Sequence, residues 1–108
     1  MLSKKNRLDK KGVDKVFLEG RFINSSFLTF KFLSTKDQHS PHISFIAPKS
    51  VAKFAVKRNR LRRRGYTALK KYINQFPSGL LGAFIFKRYQ DDVLILEDEI
   101  KEILNKIN

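Results

Sequence analysis

The chain has 108 residues, of which 23 are Lys or Arg and 10 are Asp or Glu, so its net charge is +13. This length allows one domain, residues 1–108, and 42% hydrophobic residues with ten Phe are typical of a globular core. The absence of cysteine excludes disulfides, thiolate metal sites and a cysteine nucleophile, and the longest mostly apolar run, residues 80–86, is too short to span a membrane, so we expect a cytoplasmic protein.

The amino-terminal half of the chain predicts one helix and then two or three strands. Val13, Val16 and Phe17 stand at helical spacing, and Gly20 is placed to end that helix. Apolar and polar side chains alternate in the first clear strand, and Pro48 stops the second. The predicted bounds are a helix at residues 9–19, a strand at 27–33, a polar turn at 35–41, a strand at 42–47 and a weakly indicated strand at 21–24.

A central helix is predicted over residues 54–74. Its expected core stripe consists of Phe54, Leu61, Gly65, Ala68, Leu69, Tyr72 and Ile73, which fall on one face at 100° per residue. Residues 49–72 contain ten basic side chains and no acidic one, whereas solvated faces normally mix both signs. This uneven charge predicts a surface that binds a polyanion.

The carboxyl-terminal part predicts a buried strand at residues 81–87, a turn at 89–92 and a helix at 96–106. Glu97, Asp98 and Glu99 are expected in the first turn of that helix, where its dipole favours negative charge. The fold class predicted is α+β, with the order α-β-β-(β)-α-β-α and helices packed on a small, mostly antiparallel sheet.

Signatures of catalysis are thin. His39 and His42 have only Asp37 as a further ligand in their loop, so we interpret them as ordinary turn and strand residues and expect no metal site. The carboxylates at 91–92 and 97–99 are explained by their places in a turn and at a helix start. We therefore expect no catalytic residue in this chain.

By contrast, the sequence contains many side chains that can bind phosphate. Arginine side chains bind phosphate in a bidentate manner, which lysine cannot do. Phe17, Phe30 and Phe32 are candidates for stacking on unstacked bases, although most of the ten Phe are expected in the core. Composition alone does not separate single-stranded RNA from duplex DNA.

One segment of the sequence resembles the signature of a known protein family. It is Ala55-Val56-Lys57-Arg58-Asn59-Arg60-Leu61-Arg62-Arg63, which resembles the A-V-x-R-N-R-x-K/R-R signature of the bacterial ribonuclease P protein component. The segments Asn6-Arg7-Leu8 and Val16-Phe17-x-x-Gly20 resemble the same family, as do the strand at 42–47, Lys49 after it and the final helix.

The resemblance implies a compact α+β fold with a left-handed β-α-β crossover. It also implies a protein subunit of ribonuclease P, which assists a catalytic RNA in the metal-dependent removal of the 5′ leader from precursor tRNA. The expected partners are this RNA and the leader, with one protein per RNA and no membrane. The Mg²⁺ of the holoenzyme is expected on the RNA, and no cofactor is expected on the protein.

Carried over by the resemblance, the expected RNA-binding set is Arg58, Asn59, Arg60, Arg62 and Arg63, with Lys57, Lys53, Lys49 and Arg7. The expected cleft for the leader contains Phe17, Phe30 and Val13. Three positions depart from the family pattern: Val13 replaces a second Phe, Tyr66 replaces an Arg, and Pro48 replaces a small polar residue. The alternatives are a basic ribosomal or RNA-chaperone protein and an architectural DNA-binding protein.

Overall fold

The computed structural model describes residues 7–36 and 39–107. Asn6 and Asp37, which figured in the expectations above, lie outside the described residues. The elements, in chain order, are α1 (Lys10–Glu19), β1 (Arg21–Asn24), β2 (Leu28–Ser34), β3 (His42–Ile46), α2 (Ala55–Lys70), a 3₁₀ turn (Ile73–Gln75), β4 (Leu80–Phe86) and α3 (Val93–Ile107). The predicted α+β class and element order are confirmed, and the weakly indicated strand is present as β1.

The four strands form one mixed sheet in the order β1-β2-β4-β3. β2 pairs antiparallel with both β1 and β4, whereas β3 pairs parallel with β4. Because parallel neighbours cannot be joined by a hairpin, the connection between β3 and β4 crosses over through α2. The predicted β-α-β crossover is confirmed, and its left-handed sense stays a prediction.

One face of the sheet carries the core, covered by α2 and α3. The Phe30 and Phe84 rings stack on neighbouring strands with centroids 4.3 Å apart. Gly82 makes room for Phe30, because a Cβ at position 82 would lie 2.4 Å from that ring. Gly65 does the same for α2, since a Cβ there would lie 2.5 Å from the Phe45 ring. Gly82 thus lets the Phe30 ring lie over β4, and Gly65 brings α2 into close contact with the aromatic layer.

The opposite face of the sheet carries α1. The side chain of Asp9 caps this helix by accepting a hydrogen bond from the Gly12 N–H at 2.8 Å. Before the cap, the Ser44 hydroxyl of β3 accepts from the Leu8 N–H at 2.8 Å and donates to the Leu8 carbonyl at 2.9 Å. The chain entering α1 is therefore fixed to the sheet.

Two predicted helix boundaries are wrong. α2 ends at Lys70, four residues early, because the backbone then tightens into turns in which the Tyr72 N–H bonds to the Leu69 carbonyl. α3 begins at Val93, three residues early, because the Asp92 carboxylate accepts from the Leu94 N–H at 2.9 Å and caps it. Residues 97–99 therefore lie in the second turn of α3 and not in its first.

Candidate nucleic-acid interface

The exposed side of α2 forms an open depression of about 600 Å³. Its lining residues are Arg7, Val56, Asn59, Arg62, Arg63 and Tyr66. Arg62 donates a hydrogen bond to the Asn59 side-chain oxygen, one turn earlier on the helix. The depression thus gathers three guanidinium groups from two separate segments of the chain, and it suits a phosphate-bearing ligand.

Tyr66 positions the arginine that comes from outside α2. Its ring lies 4.2 Å from the Arg7 guanidinium carbon and makes an edge contact with Phe45, with centroids 5.2 Å apart. Its hydroxyl accepts a hydrogen bond from the Phe45 N–H at 3.2 Å. Tyr66 is buried, so the departure from the family pattern at this position serves packing and holds Arg7 beside α2.

Arg58 and Arg60 belong to the expected RNA-binding set, and both also make contacts inside the protein. The Arg58 guanidinium donates to the Ala52 carbonyl at 3.1 Å and to the Lys53 carbonyl at 2.7 Å. Arg60 lies 3.9 Å from an Asp91 carboxylate oxygen, and the two side chains are about two-fifths exposed. The structure therefore ties Arg58 to the loop before α2 and Arg60 to the acidic segment before α3.

The loop before α2 and the first turn of that helix add a second group of cations. Lys49, Lys53 and Lys57 are exposed, as the binding interpretation requires. Phe54, predicted in the core stripe, is instead 66% exposed, because it precedes the helix and no other element covers it. That part of the predicted stripe is wrong.

On the opposite face of the sheet, Phe17 is 44% exposed and Val13 of the same helix is half-buried. The Lys31 ammonium of β2 lies 4.7 Å from the centroid of the Phe17 ring. This places an accessible ring and a cation side by side, which a single-stranded nucleic acid requires.

Phe30 does not belong to this cleft. It is fully buried on the core face, where it contacts the Phe84, Phe32 and Phe76 rings. The expectation that Phe30 lines the cleft is wrong, because successive side chains of a strand point to opposite faces. Phe32, the other strand aromatic considered for stacking, is buried on the same core face.

Several side chains on the same face as Phe17 were not predicted from the sequence. In register, Phe22 pairs with Lys31 and Asn24 pairs with Thr29, so all four side chains lie on the face that carries α1. Phe22 is 63% exposed. The alternation of apolar and polar residues in β2 could have predicted this face, because the polar residues of β2 lie on the face away from the core. Farther across the sheet, Ile85 and Ile46 continue the row begun by Asn24 and Thr29.

The histidines and acidic residues support no further site. The His39 and His42 rings meet edge to face, 4.8 Å between centroids. Within the described part of the chain, no group of three or more His, Cys, Asp or Glu is placed to hold a metal ion.

A hydrogen bond to the Glu97 carboxylate raises the pKa of Lys71, with added attraction from nearby negative groups. None of the helices in residues 7–36 and 39–107 has the length and hydrophobicity needed to cross a bilayer.

Three arginines around one depression, on a small α+β domain with an exposed ring beside a cation on its other face, fit a protein of the nucleic-acid-binding class. A family model described as Ribonuclease P matches residues 2–108. The chain belongs to the ribonuclease P protein family, whose members are subunits of an endoribonuclease that acts in tRNA processing. Membership implies association with the RNA of ribonuclease P, and nothing supports the ribosomal or chaperone alternative.

Solved structures agree with this assignment at the level of the fold. The RNase P protein of Staphylococcus aureus matches with a TM-score of 0.80 at 12% identity, over 95% of each chain. The RNase P protein of Thermotoga maritima also matches with a TM-score of 0.80, at 16% identity, over 94% of this chain and 97% of that one. A search of curated proteins finds no match to this sequence.

Proposed function

We propose that the chain binds two RNA segments at once, the catalytic RNA on α2 and the single-stranded leader of precursor tRNA in the cleft beside α1. The observation that carries the proposal is the separation of the two surfaces. Arg62 and Arg63 of the depression lie on α2, which covers the core face of the sheet, whereas Phe17 and Lys31 lie on the opposite face. One protein can therefore contact both segments without competition between them.

Each surface has the chemistry that its ligand needs. The depression supplies guanidinium groups, which make bidentate hydrogen bonds to phosphates and position folded RNA. The cleft supplies the Phe17 ring for stacking, Lys31 for a phosphate, and the polar pair in which Thr29 donates to the Asn24 side-chain oxygen at 2.6 Å.

In this proposal the protein is a binding subunit and hydrolysis belongs to the RNA. The metal ions are expected on the RNA, where they activate water and stabilise the leaving oxygen. One protein per RNA and a cytoplasmic location complete the proposal. The chain itself contributes orientation of the substrate and neutralisation of phosphate charge.

Reconstitution with the cognate catalytic RNA tests the proposal. At low Mg²⁺ the native protein should raise the rate of leader removal from precursor tRNA. The double substitution Arg62→Ala with Arg63→Ala should weaken RNA binding and reduce the salt dependence of log K by about 1.4 to 1.8, because two phosphate contacts are lost. Failure of the native protein to stimulate cleavage would refute the proposal.

A matched control is Lys101→Ala with Lys106→Ala, which removes the same charge from α3. Lys106 pairs with Glu102 at 3.3 Å in an exposed i,i+4 contact, and Lys101 is exposed. These lysines lie among acidic residues, so their loss should leave affinity and salt dependence close to native. Equal effects of the two double substitutions would show that net charge, and not the surface of α2, determines binding.

A further inference from the structure

Phe54 is an exposed aromatic residue at a position where its ring has no structural role. It is the amino-terminal cap of α2, and its side chain makes no capping hydrogen bond. Asn, Asp, Ser or Thr would cap the helix there, whereas an aromatic ring satisfies none of the free N–H groups. The ring is also 66% exposed, so it contributes little to the core. Neither capping nor packing accounts for a phenyl group here.

A cation lies beside the ring. The Lys53 ammonium is 5.9 Å from its centroid, and Lys49 of the same loop and Lys57 of the first turn of α2 are exposed. The sequence has no acidic residue between positions 49 and 72. A surface that combines a ring with positive charge attracts nucleic acid and disfavours a protein partner of the usual mixed charge.

The backbone that carries the ring is held in place. The Arg58 guanidinium bonds to the carbonyls of Ala52 and Lys53, immediately before Phe54. The N–H groups of Lys57 and Arg58 bond to the Phe54 carbonyl at 3.0 and 3.1 Å. A ring on a fixed backbone loses little conformational entropy when a ligand stacks on it, so the site is preorganised.

We propose that Phe54 is a stacking site for an unpaired base of the catalytic RNA. The inference rests on the proposed function and adds a ligand to the surface of α2. The catalytic RNA is the occupant, and not the leader, because Phe54 begins the basic helix on the core side of the sheet while the leader cleft lies on the other side. Lys53, whose ammonium lies 5.9 Å from the ring centroid, binds a phosphate next to the stacked base.

Binding of the catalytic RNA without precursor tRNA tests the site. Phe54→Ala should weaken binding about five- to 150-fold, as loss of one base–aromatic stack does, while the salt dependence stays native because no charge is removed. Phe54→Tyr should bind like the native protein, and Phe54→Leu should bind like Phe54→Ala. Native affinity for Phe54→Ala, or for Phe54→Leu, would overturn the proposal.

Leu94→Ala is the control for loss of an exposed apolar side chain, because Leu94 is 71% exposed on the acidic helix α3. It should bind the RNA with native affinity. A spectroscopic arm uses the fact that the chain has no Trp. Phe54→Trp places a single indole at the site, and its fluorescence should be quenched by saturating catalytic RNA.

Unchanged fluorescence of the Phe54→Trp variant at saturation would overturn the stacking site. Weakening by Phe54→Ala that appears only with leader-bearing precursor would overturn the assignment to the catalytic RNA. Both results are distinct from failure of the proposed function, in which the native protein itself would neither bind nor stimulate the RNA.

Discussion

Phe17 presents its ring to solvent beside the Lys31 ammonium, on the sheet face opposite the core. If a leader base stacks on this ring, Phe17→Ala should weaken binding of leader-bearing precursor by about 1–3 kcal/mol. Binding of mature tRNA, which has no leader, should stay native. Parallel titrations of the holoenzyme with both RNAs measure the difference.

Leu18→Ala is the control for Phe17→Ala, since Leu18 is the next residue on α1 and is 85% exposed. Its truncation should leave the binding of both RNAs unchanged. An equal loss for precursor and mature tRNA on Phe17→Ala would assign Phe17 to general stability of the fold and remove it from the cleft.

Tyr66 supports both stability and the position of Arg7. Tyr66→Phe removes the acceptor for the buried Phe45 N–H and should cost about 1–3 kcal/mol of unfolding free energy, because that donor loses its partner. The ring that contacts Arg7 remains, so RNA affinity should stay close to native. Urea denaturation and RNA titration of the same sample separate the two effects.

Tyr89→Phe provides the comparison, because the Tyr89 hydroxyl is exposed and bonds only weakly, at 3.3 Å, to Asp91. The unfolding free energy of the Tyr89→Phe variant should differ from that of the native protein by less than about 0.5 kcal/mol. If Tyr66→Phe were no more destabilising than Tyr89→Phe, the hydroxyl of Tyr66 would have no part in fixing β3.

At the scale of the residue, the sequence predicts the cleft in part. Phe17 was found from helical spacing and family resemblance. Phe30 was placed on the wrong face, although its alternation with Thr29 and Lys31 already separates a core face from a polar one. A shift of one residue along a strand reverses the face of every side chain, so a resemblance that is uncertain by one residue does not assign a strand position to a face. Thr29 and Lys31, and not Phe30, are the residues of β2 on the face that carries α1.

Among the elements, α3 is tied to the β1–β2 hairpin by one carboxylate. Glu99 is 7% exposed and accepts from the Phe27 N–H at 2.7 Å and from the Ser25 hydroxyl. Glu99→Leu should destabilise the fold by about 1–3 kcal/mol, because it leaves the Phe27 N–H without its partner and the Ser25 hydroxyl with only the Leu28 carbonyl, at 3.2 Å. Glu99→Gln should cost much less, since one amide oxygen can accept both bonds. Thermal or urea unfolding measures which of the two variants is the less stable.

Glu102→Leu tests the same change of side chain at an exposed position of α3. It loses the surface contact with Lys106, which is worth only about 0.3–0.5 kcal/mol. Glu102→Leu should therefore destabilise the fold less than Glu99→Leu does. Comparable destabilisation by the two leucine variants would mean that Glu99 does not join α3 to the hairpin.

The elements themselves were largely predictable, and their ends were not. The strand alternation and the apolar spacing of α1, α2 and α3 fix the type of each element. The start of α3 depends on the Asp92 cap, a local hydrogen bond that outweighs the pattern of apolar residues. The exposure of Phe54 depends on its place just before α2, where no other element covers it, and helical periodicity does not describe that.

For the whole molecule, the sequence shows that charge is divided along the chain, but only the fold shows how that division lies in space. Residues 91–108 carry six acidic and two basic side chains, a net charge of −4, and the rest of the chain is strongly basic. In the structure, Asp91 contacts Arg60 and Glu97 contacts Lys71, so the acidic segment borders the basic helix directly. This border limits the surface on which RNA can dock.

Reversal of charge on α3 should therefore relax the selectivity of RNA binding. Asp98→Lys with Glu102→Lys adds +4 to an exposed surface, and it should raise affinity for an unrelated structured RNA at low salt by far more than affinity for the cognate catalytic RNA. The neutral pair Asp98→Asn with Glu102→Gln should give a smaller change in the same direction. Competition titrations at several salt concentrations measure the ratio of the two affinities. If the double Lys variant keeps the native ratio of cognate to unrelated RNA affinity, the acidic helix has no part in orienting the protein on RNA. The arginines of α2 would then determine the orientation without it.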